Sequence, residues 1–127
     1  MPNRAADWFR QAERDLEQAV ASARDGLHEW ACFAAQQAAE KAAKALHLAH
    51  GQEAWGHMVA RLLAQLPLAV PPDLIEKARV LDNYYVPTLY ANGHPEGAPF
   101  QHYGTLQSGG AIDHAREILD FVRPQMA

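Results

Sequence analysis

An all-α domain is what this sequence predicts, on three observations. Apolar residues recur at i, i+3 and i+4 spacing in five separate stretches, and alanine supplies 25 of the 127 residues. The β-branched types number only 11: six Val, three Ile and two Thr. Alanine enters a helix with the least entropic loss and lets helices approach closely, whereas strands are built from the residues that are scarce here. Val, Ile, Leu and Phe together number 26, enough for one core, so residues 1–127 read as a single domain.

Residues 3–24 place Ala5, Trp8, Phe9, Ala12, Leu16, Ala19, Val20 and Ala23 on one stripe, with Arg10, Arg14, Glu17 and Arg24 outside it. The first helix buries that stripe. Asn3 can cap its start, and Gly26 supplies the left-handed residue that ends it. From about His28 to His50 the pattern runs through Trp30, Phe33, Ala34, Ala38, Ala42, Ala45, Leu46 and Ala49, and Gly51 stops it. So many alanines round one cylinder predict contacts on two faces, as in a central helix. Residues 57–66 carry Met58, Val59, Leu62, Leu63 and Leu66, a short third helix ended by Pro67.

The tract PLAVPPD (67–73) is a connector, and Pro72 suits the first turn of the next helix. That fourth helix carries Leu74, Ile75, Ala78, Leu81 and Tyr85, and Pro87 limits it near Tyr85 or Val86. Residues 87–104 hold three of the eight prolines and three of the eight glycines, a long connection of the functional or mobile kind. A last helix from about Thr105 or Ser108 to Arg123 turns Ile112, Ala115, Ile118, Leu119 and Val122 inward, and Pro124 closes it.

Charge and composition exclude several functions. A net charge of −4 argues against the dense Lys/Arg face that grips duplex DNA. No apolar run approaches the ~20 residues of a spanning helix, so no membrane role is expected. The lone Cys32 cannot form an intramolecular disulfide and reads as a small buried helix residue. With an opening MPNRAADWFRQ that lacks the apolar run of a secretory signal, a cytoplasmic setting is the expectation.

The densest polar run is Gln36, Gln37, Glu40, Lys41 and Lys44. Gln37, Lys41 and Lys44 share one helix face, and Gln36 and Glu40 the adjacent one. Periodicity alone reads them as solvated side chains with a Glu40–Lys44 pair. A sharper reading has Lys41 and Lys44 meeting phosphate or acidic groups. Asp15 and Asp82 lie beside apolar stripes and are expected to be structural acids, either buried and hydrogen-bonded or ion-paired, with Lys41, Lys44 or Arg79 as candidate partners.

His47, His50 and His57 are too few and too loosely patterned for zinc without HExxH or a second cysteine, so neither a metal nor a cofactor is expected. His57 is expected to cap or hydrogen-bond at the start of the third helix. Tyr84, Tyr85, Tyr90 and Tyr103 gather round the long connection with His94, Phe100 and His102. These rings either pack on one another or stack on the bases of a nucleotide or RNA. Walker and Rossmann glycine loops are absent, and without GxSxG nucleophilic hydrolysis has no support.

Four segments in order carry a family likeness. W-x3-A-x2-D-L-x2-A stands at Trp8, Ala12, Asp15, Leu16 and Ala19, and F-A-A-Q-Q-A-A-E-K-A-A-K-A-L runs from Phe33 to Leu46. G-H-x4-L-L follows at Gly56, His57, Leu62 and Leu63, then A-x2-L-D-x2-Y at Ala78, Leu81, Asp82 and Tyr85. From about residue 5 to 123 the chain resembles the HEPN domain, named for higher eukaryotes and prokaryotes nucleotide-binding. The resemblance implies an up-and-down bundle of four main helices plus a short extra one, and a homodimer. It also implies a minimal nucleotidyltransferase as protein partner, in two-component or toxin–antitoxin pairs.

Active relatives of this kind are metal-independent endoribonucleases that carry an Arg, four to six intervening residues and then a His. Such a His accepts the 2′-hydroxyl proton while the Arg stabilises the phosphorane. Where the subgroup reads Y-x3-R-Y, this chain has Tyr85, Val86, Pro87, Thr88, Leu89 and Tyr90. Leu89 therefore stands in the place of the Arg, while His94 keeps the place of the His. Where some partner-regulated toxins carry a modified Tyr two residues past the His, this chain has Glu96.

The expectation is thus a non-catalytic or weakly catalytic module. It would bind a nucleotide or RNA through Lys41, Lys44, Tyr85, Tyr90, His94 and His102, with Asp15, Glu40, His57 and Asp82 in structural roles. Two alternatives remain open at this point. One is a ribonuclease using His94 with a cation borrowed from Lys41, Lys44 or Arg79. The other is a stand-alone nucleotide-sensing bundle.

Overall fold

Alanine sets how closely the helices approach. The computed structural model, which describes residues 3–85 and 88–126, contains α1 (Ala5–Arg24), α2 (His28–Ala49), α3 (Val59–Ala64), α4 (Pro72–Asp82) and α5 (Thr105–Val122). Short 3-10 turns at Ala91–Gly93, Pro99–Gln101 and Arg123–Met126 complete its regular structure. The architecture is the predicted one, an all-α bundle of α1, α2, α4 and α5 with α3 as the short extra helix. No described helix is long and apolar enough to cross a membrane.

α2 is the central element and touches α1, α3, α4 and α5. Ala31, Ala35, Ala38, Ala39, Ala42, Ala43 and Ala45 are all fully buried along it, which is the two-faced contact that its composition predicts. The bulk that fills the core comes mainly from its neighbours: Leu62 and Leu63 of α3, Leu81 of α4, Ile118 and Leu119 of α5. Large side chains set against a small-residue cylinder reach close packing without widening the bundle.

The helix ends follow the sequence signals. Asn3, one position before the N-cap Arg4, accepts a hydrogen bond from the Ala5 amide at 2.8 Å. Its amide group donates to the Leu48 carbonyl at 2.5 Å, fixing the start of α1 to the end of α2. Gly26 and Gly51 adopt φ of +78° and +73°. There the chain reverses and the Leu27 and Gln52 amides reach back to the Ser22 and His47 carbonyls.

Three expectations need correction. α3 spans only Val59–Ala64, inside the 57–66 stretch, because Met58 and Leu66 fall outside it as cap and tail. α4 ends at Asp82, short of Tyr85, and Pro87 lies outside the described residues. Its last turn tightens into i→i−3 bonds from Asn83 and Tyr84, and the buried Thr88 hydroxyl donates to the Tyr84 and Tyr85 carbonyls. Finally, Trp8, Val20 and Trp30 belong to apolar stripes yet stay exposed, Trp30 by 50%. The alanine seams close too tightly to admit them, so these side chains stand at the rims.

Candidate functional site

The polar run of α2 is not a solvated face. Gln36 and Glu40 are buried, which overturns the periodicity reading, because alanine lets neighbouring helices close over positions that look peripheral. The Glu40 carboxylate accepts from Gln36 Nε2 at 3.1 Å and from Lys44 Nζ at 3.2 Å. Both of its oxygens lie 3.2 Å from His57 Nδ1. Gln36 Nε2 also donates to the His57 carbonyl at 3.1 Å, so residue 57 is pinned to α2 through backbone and ring.

His57 therefore hydrogen-bonds at the start of α3, to Glu40, but does not cap the helix. That role falls to Asp82, which accepts from the Val59 and Ala60 amides at 2.6 and 3.2 Å rather than pairing with a cation. Burial pushes the Asp82 carboxyl above its ordinary value against the pull of those two amides, and the nearby Glu40 charge adds to the rise. Asp15 does meet its expected partner: Lys41 Nζ lies 2.5 Å from its Oδ2, tying α2 to α1 with both side chains largely covered. Cys32 is fully buried, and burial pushes its thiol up to about 12, a protonated group at neutral pH.

Two ring clusters flank this polar core. In the first, the His57 ring stacks on Tyr85 at 4.5 Å between centroids, and Tyr85 stacks on Phe33 at 6.2 Å. In the second, His94 lies parallel to His102 at 4.2 Å and meets the edge of Tyr103 at 5.5 Å. Tyr103 in turn makes an edge contact with Tyr84 at 5.9 Å, and burial raises both phenols. His102 Nε2–H donates to the Glu96 carbonyl at 2.5 Å, holding the turn on which His94 and His102 face each other. Tyr90 and Phe100 are left exposed on the same connection, and Leu89 is half-buried.

The predicted site residues thus divide. Lys41 joins Asp15; Lys44, Glu40, His57 and Tyr85 form one connected group; His94 and His102 form another; Tyr90 stands on the surface. Arg79, one of the three cations considered for His94, pairs with Glu76 at 3.2 Å on the exposed side of α4. His47, considered beside His50 and His57 as a ligand, is buried with its nitrogens on Gln52 and the Leu62 carbonyl, so it ties α2 to α3. Sequence reasoning missed Gln36 and Phe33 as members of the site. Their signal is context: each lies in a helix whose flanking positions are almost all alanine. An apolar cleft of 470 Å³ beside Lys41 adds Leu27, Trp30 and Phe33 on the α1–α2 side.

Known proteins with this architecture are similar over almost the whole chain. The HEPN domain model matches residues 5–125. TT1696 from Thermus thermophilus is 52% identical with a TM-score of 0.95, covering 98% of this chain and 99% of that one. ST0689, an archaeal HEPN homologue, is 39% identical with a TM-score of 0.84, over 99% and 100% of the two chains. An HEPN domain protein from Thermotoga maritima is 32% identical with a TM-score of 0.75, over 93% and 95%. No curated protein matches the chain. By full-length match and by fold, this chain belongs to the HEPN domain family.

Proposed function

We propose that the protein is a non-catalytic or weakly catalytic HEPN module. It forms a homodimer, partners a minimal nucleotidyltransferase in a two-component or toxin–antitoxin-like system, and holds a nucleotide or RNA near Tyr85–His102. The observation that carries this reading is Leu89, an aliphatic side chain in the place of the ribonuclease Arg. Loss of one preorganised donor to a developing oxyanion removes ~2.7–4 kcal/mol of transition-state stabilisation. The cations that would replace it are already engaged: Lys41 by Asp15, Lys44 by Glu40 and Arg79 by Glu76. Each must abandon a carboxylate before it can serve a phosphate, which weighs against a ribonuclease built on His94.

Exposed rings at Tyr90 and Phe100, beside the His94–His102 stack, supply the surfaces on which bases stack. The exposed Leu27 and Trp30 at the α1–α2 cleft supply apolar area of the kind that a second copy covers.

A ribonuclease time course without metal, on wild type and Leu89→Arg, tests the proposal. Silence from wild type with cleavage by the variant is the expected result. Cleavage by wild type that stops in His94→Ala overturns it. Light scattering of a monomer, or no capture of a co-encoded nucleotidyltransferase, removes the dimer and partner parts respectively.

A further inference from the structure

The connection from α4 to α5 doubles back on itself through two imidazoles. Gly97 turns the chain at φ +81°, where a Cβ would stand 3.0 Å from Gln101 Oε1 and 3.2 Å from His102 Nε2. His102 donates to the Glu96 carbonyl at 2.5 Å, and the Ala98 amide donates to Gln101 Oε1 at 2.8 Å. His94 enters on extended backbone and lays its ring on that of His102, 4.2 Å between centroids and 6° from parallel. Tyr103 backs the pair, with its ring edge 5.5 Å from His94 and its hydroxyl 3.4 Å from His94 Nε2. Backbone hydrogen bonds along residues 90–102 are local, from Gly93, His94, Gln101 and His102 to carbonyls three positions back. The ring stack joins the two halves of the turn over a longer range.

Protonation acts on that contact. Histidine is the side chain whose ordinary charge change falls near pH 6.5. Two neutral rings, or one neutral and one charged, stack favourably. Two imidazolium ions held parallel at this distance repel, and even in bulk water that repulsion moves an equilibrium about fivefold. The groups around the pair leave the repulsion standing. Burial raises the Tyr84 and Tyr103 phenols, which stay uncharged in this range, as does Cys32 of α2 with its thiol pushed up to about 12. At the same end of α2, the Glu29 charge acts on Cys32 and His28 is bonded to Ser108. On α4, Asp82 is held by the α3 amides and Arg79 by Glu76. α5 has no charged residue before Asp113, and Glu96, the one carboxylate of residues 88–104, meets His102 through its backbone carbonyl. We infer that the His94–His102 stack is a pH-sensitive latch on this connection, closed with at most one proton on the pair and released by the second. It is a property of the unliganded chain and does not depend on the function proposed above.

NMR-detected amide exchange at about pH 8 and about pH 5, either side of the ordinary histidine value and corrected for intrinsic exchange, tests the latch. In the parent, the His94, Gln101 and His102 amides should open at least about fivefold more at the lower pH, with α1 and α2 unchanged. The Cε1–H shifts of both rings, followed through the same titration, should tie that opening to the second protonation step of the pair. His94→Phe keeps a ring on His102 but leaves one titrating imidazole, so its turn should stay protected at both pH values. The inference is overturned by equal protection of the parent at both, by opening that follows the first proton, or by opening that spreads to α1 and α2. It is overturned equally if His94→Phe opens at acid pH as the parent does, or is open already at about pH 8. None of these outcomes bears on the metal-free ribonuclease comparison, so the two readings fail separately.

Discussion

α2 and the connection from α4 to α5 use similar side chains to opposite ends. On α2, Glu40 meets Lys44, Gln36 and His57 inside a wall of alanine, and the group acts as a strut between elements. In the connection, His94 and His102 stack at 4.2 Å on a stretch rich in proline and glycine, with Tyr90 and Phe100 open to water beside them. The difference teaches that residue type does not assign a role. A charged group enclosed by closely packed helices must be paired to be tolerated at all, and pairing consumes its chemistry. Tyr90 and Phe100, on a turn-rich segment, keep ring surface in contact with solvent.

The sharpest way to break that contrast is to cut the strut. Glu40→Ala leaves Lys44 and Gln36 without their shared acceptor in a dry site, and a loss of about 3–5 kcal/mol is expected in urea unfolding. His94→Ala, removing a ring from the open cluster, should cost under about 1 kcal/mol in the same assay. Equal losses would erase the distinction. Next in size is Ala42→Leu, which forces bulk into the α2 seam and should cost about 1–3 kcal/mol by the same measure.

Asp82→Ala orphans the Val59 and Ala60 amides and should cost about 1–2 kcal/mol, with faster hydrogen exchange confined to α3. Because burial raises the Asp82 carboxyl, its contribution to stability is greatest below the usual carboxylate range and is lost as pH rises through the raised value. Asp82→Asn should flatten that part of the stability–pH curve.

Cys32 gives the smallest effect at neutral pH. With its thiol raised from 9.0 to about 12, labelling by a disulfide reagent should be negligible in the native state and prompt in urea. Its share of stability is intact below 9.0 and drains away as pH climbs toward 12, since the unfolded thiol ionises first.

Legibility in the sequence follows the range of the interaction. The five helices are readable because periodicity, Gly26, Gly51 and Pro72 act within a few residues of each other. The Asp15–Lys41 pair is readable as an acid beside an apolar stripe with a cation in reach of another helix. The partner of Asp82 is not, since α3 and α4 must first be laid side by side to bring two amides to its carboxylate. The burial of Gln36 and Glu40 is equally hidden, because alanine reads the same on a covered face as on an open one.

By itself, then, the sequence determined an all-α chain, its helix breaks and its family, because propensity, caps and motif spacing are local. Only the tertiary structure decided which polar groups are struts and which remain accessible. Burial and pairing depend on how far helices approach, and that distance is set by side chains on both partners at once.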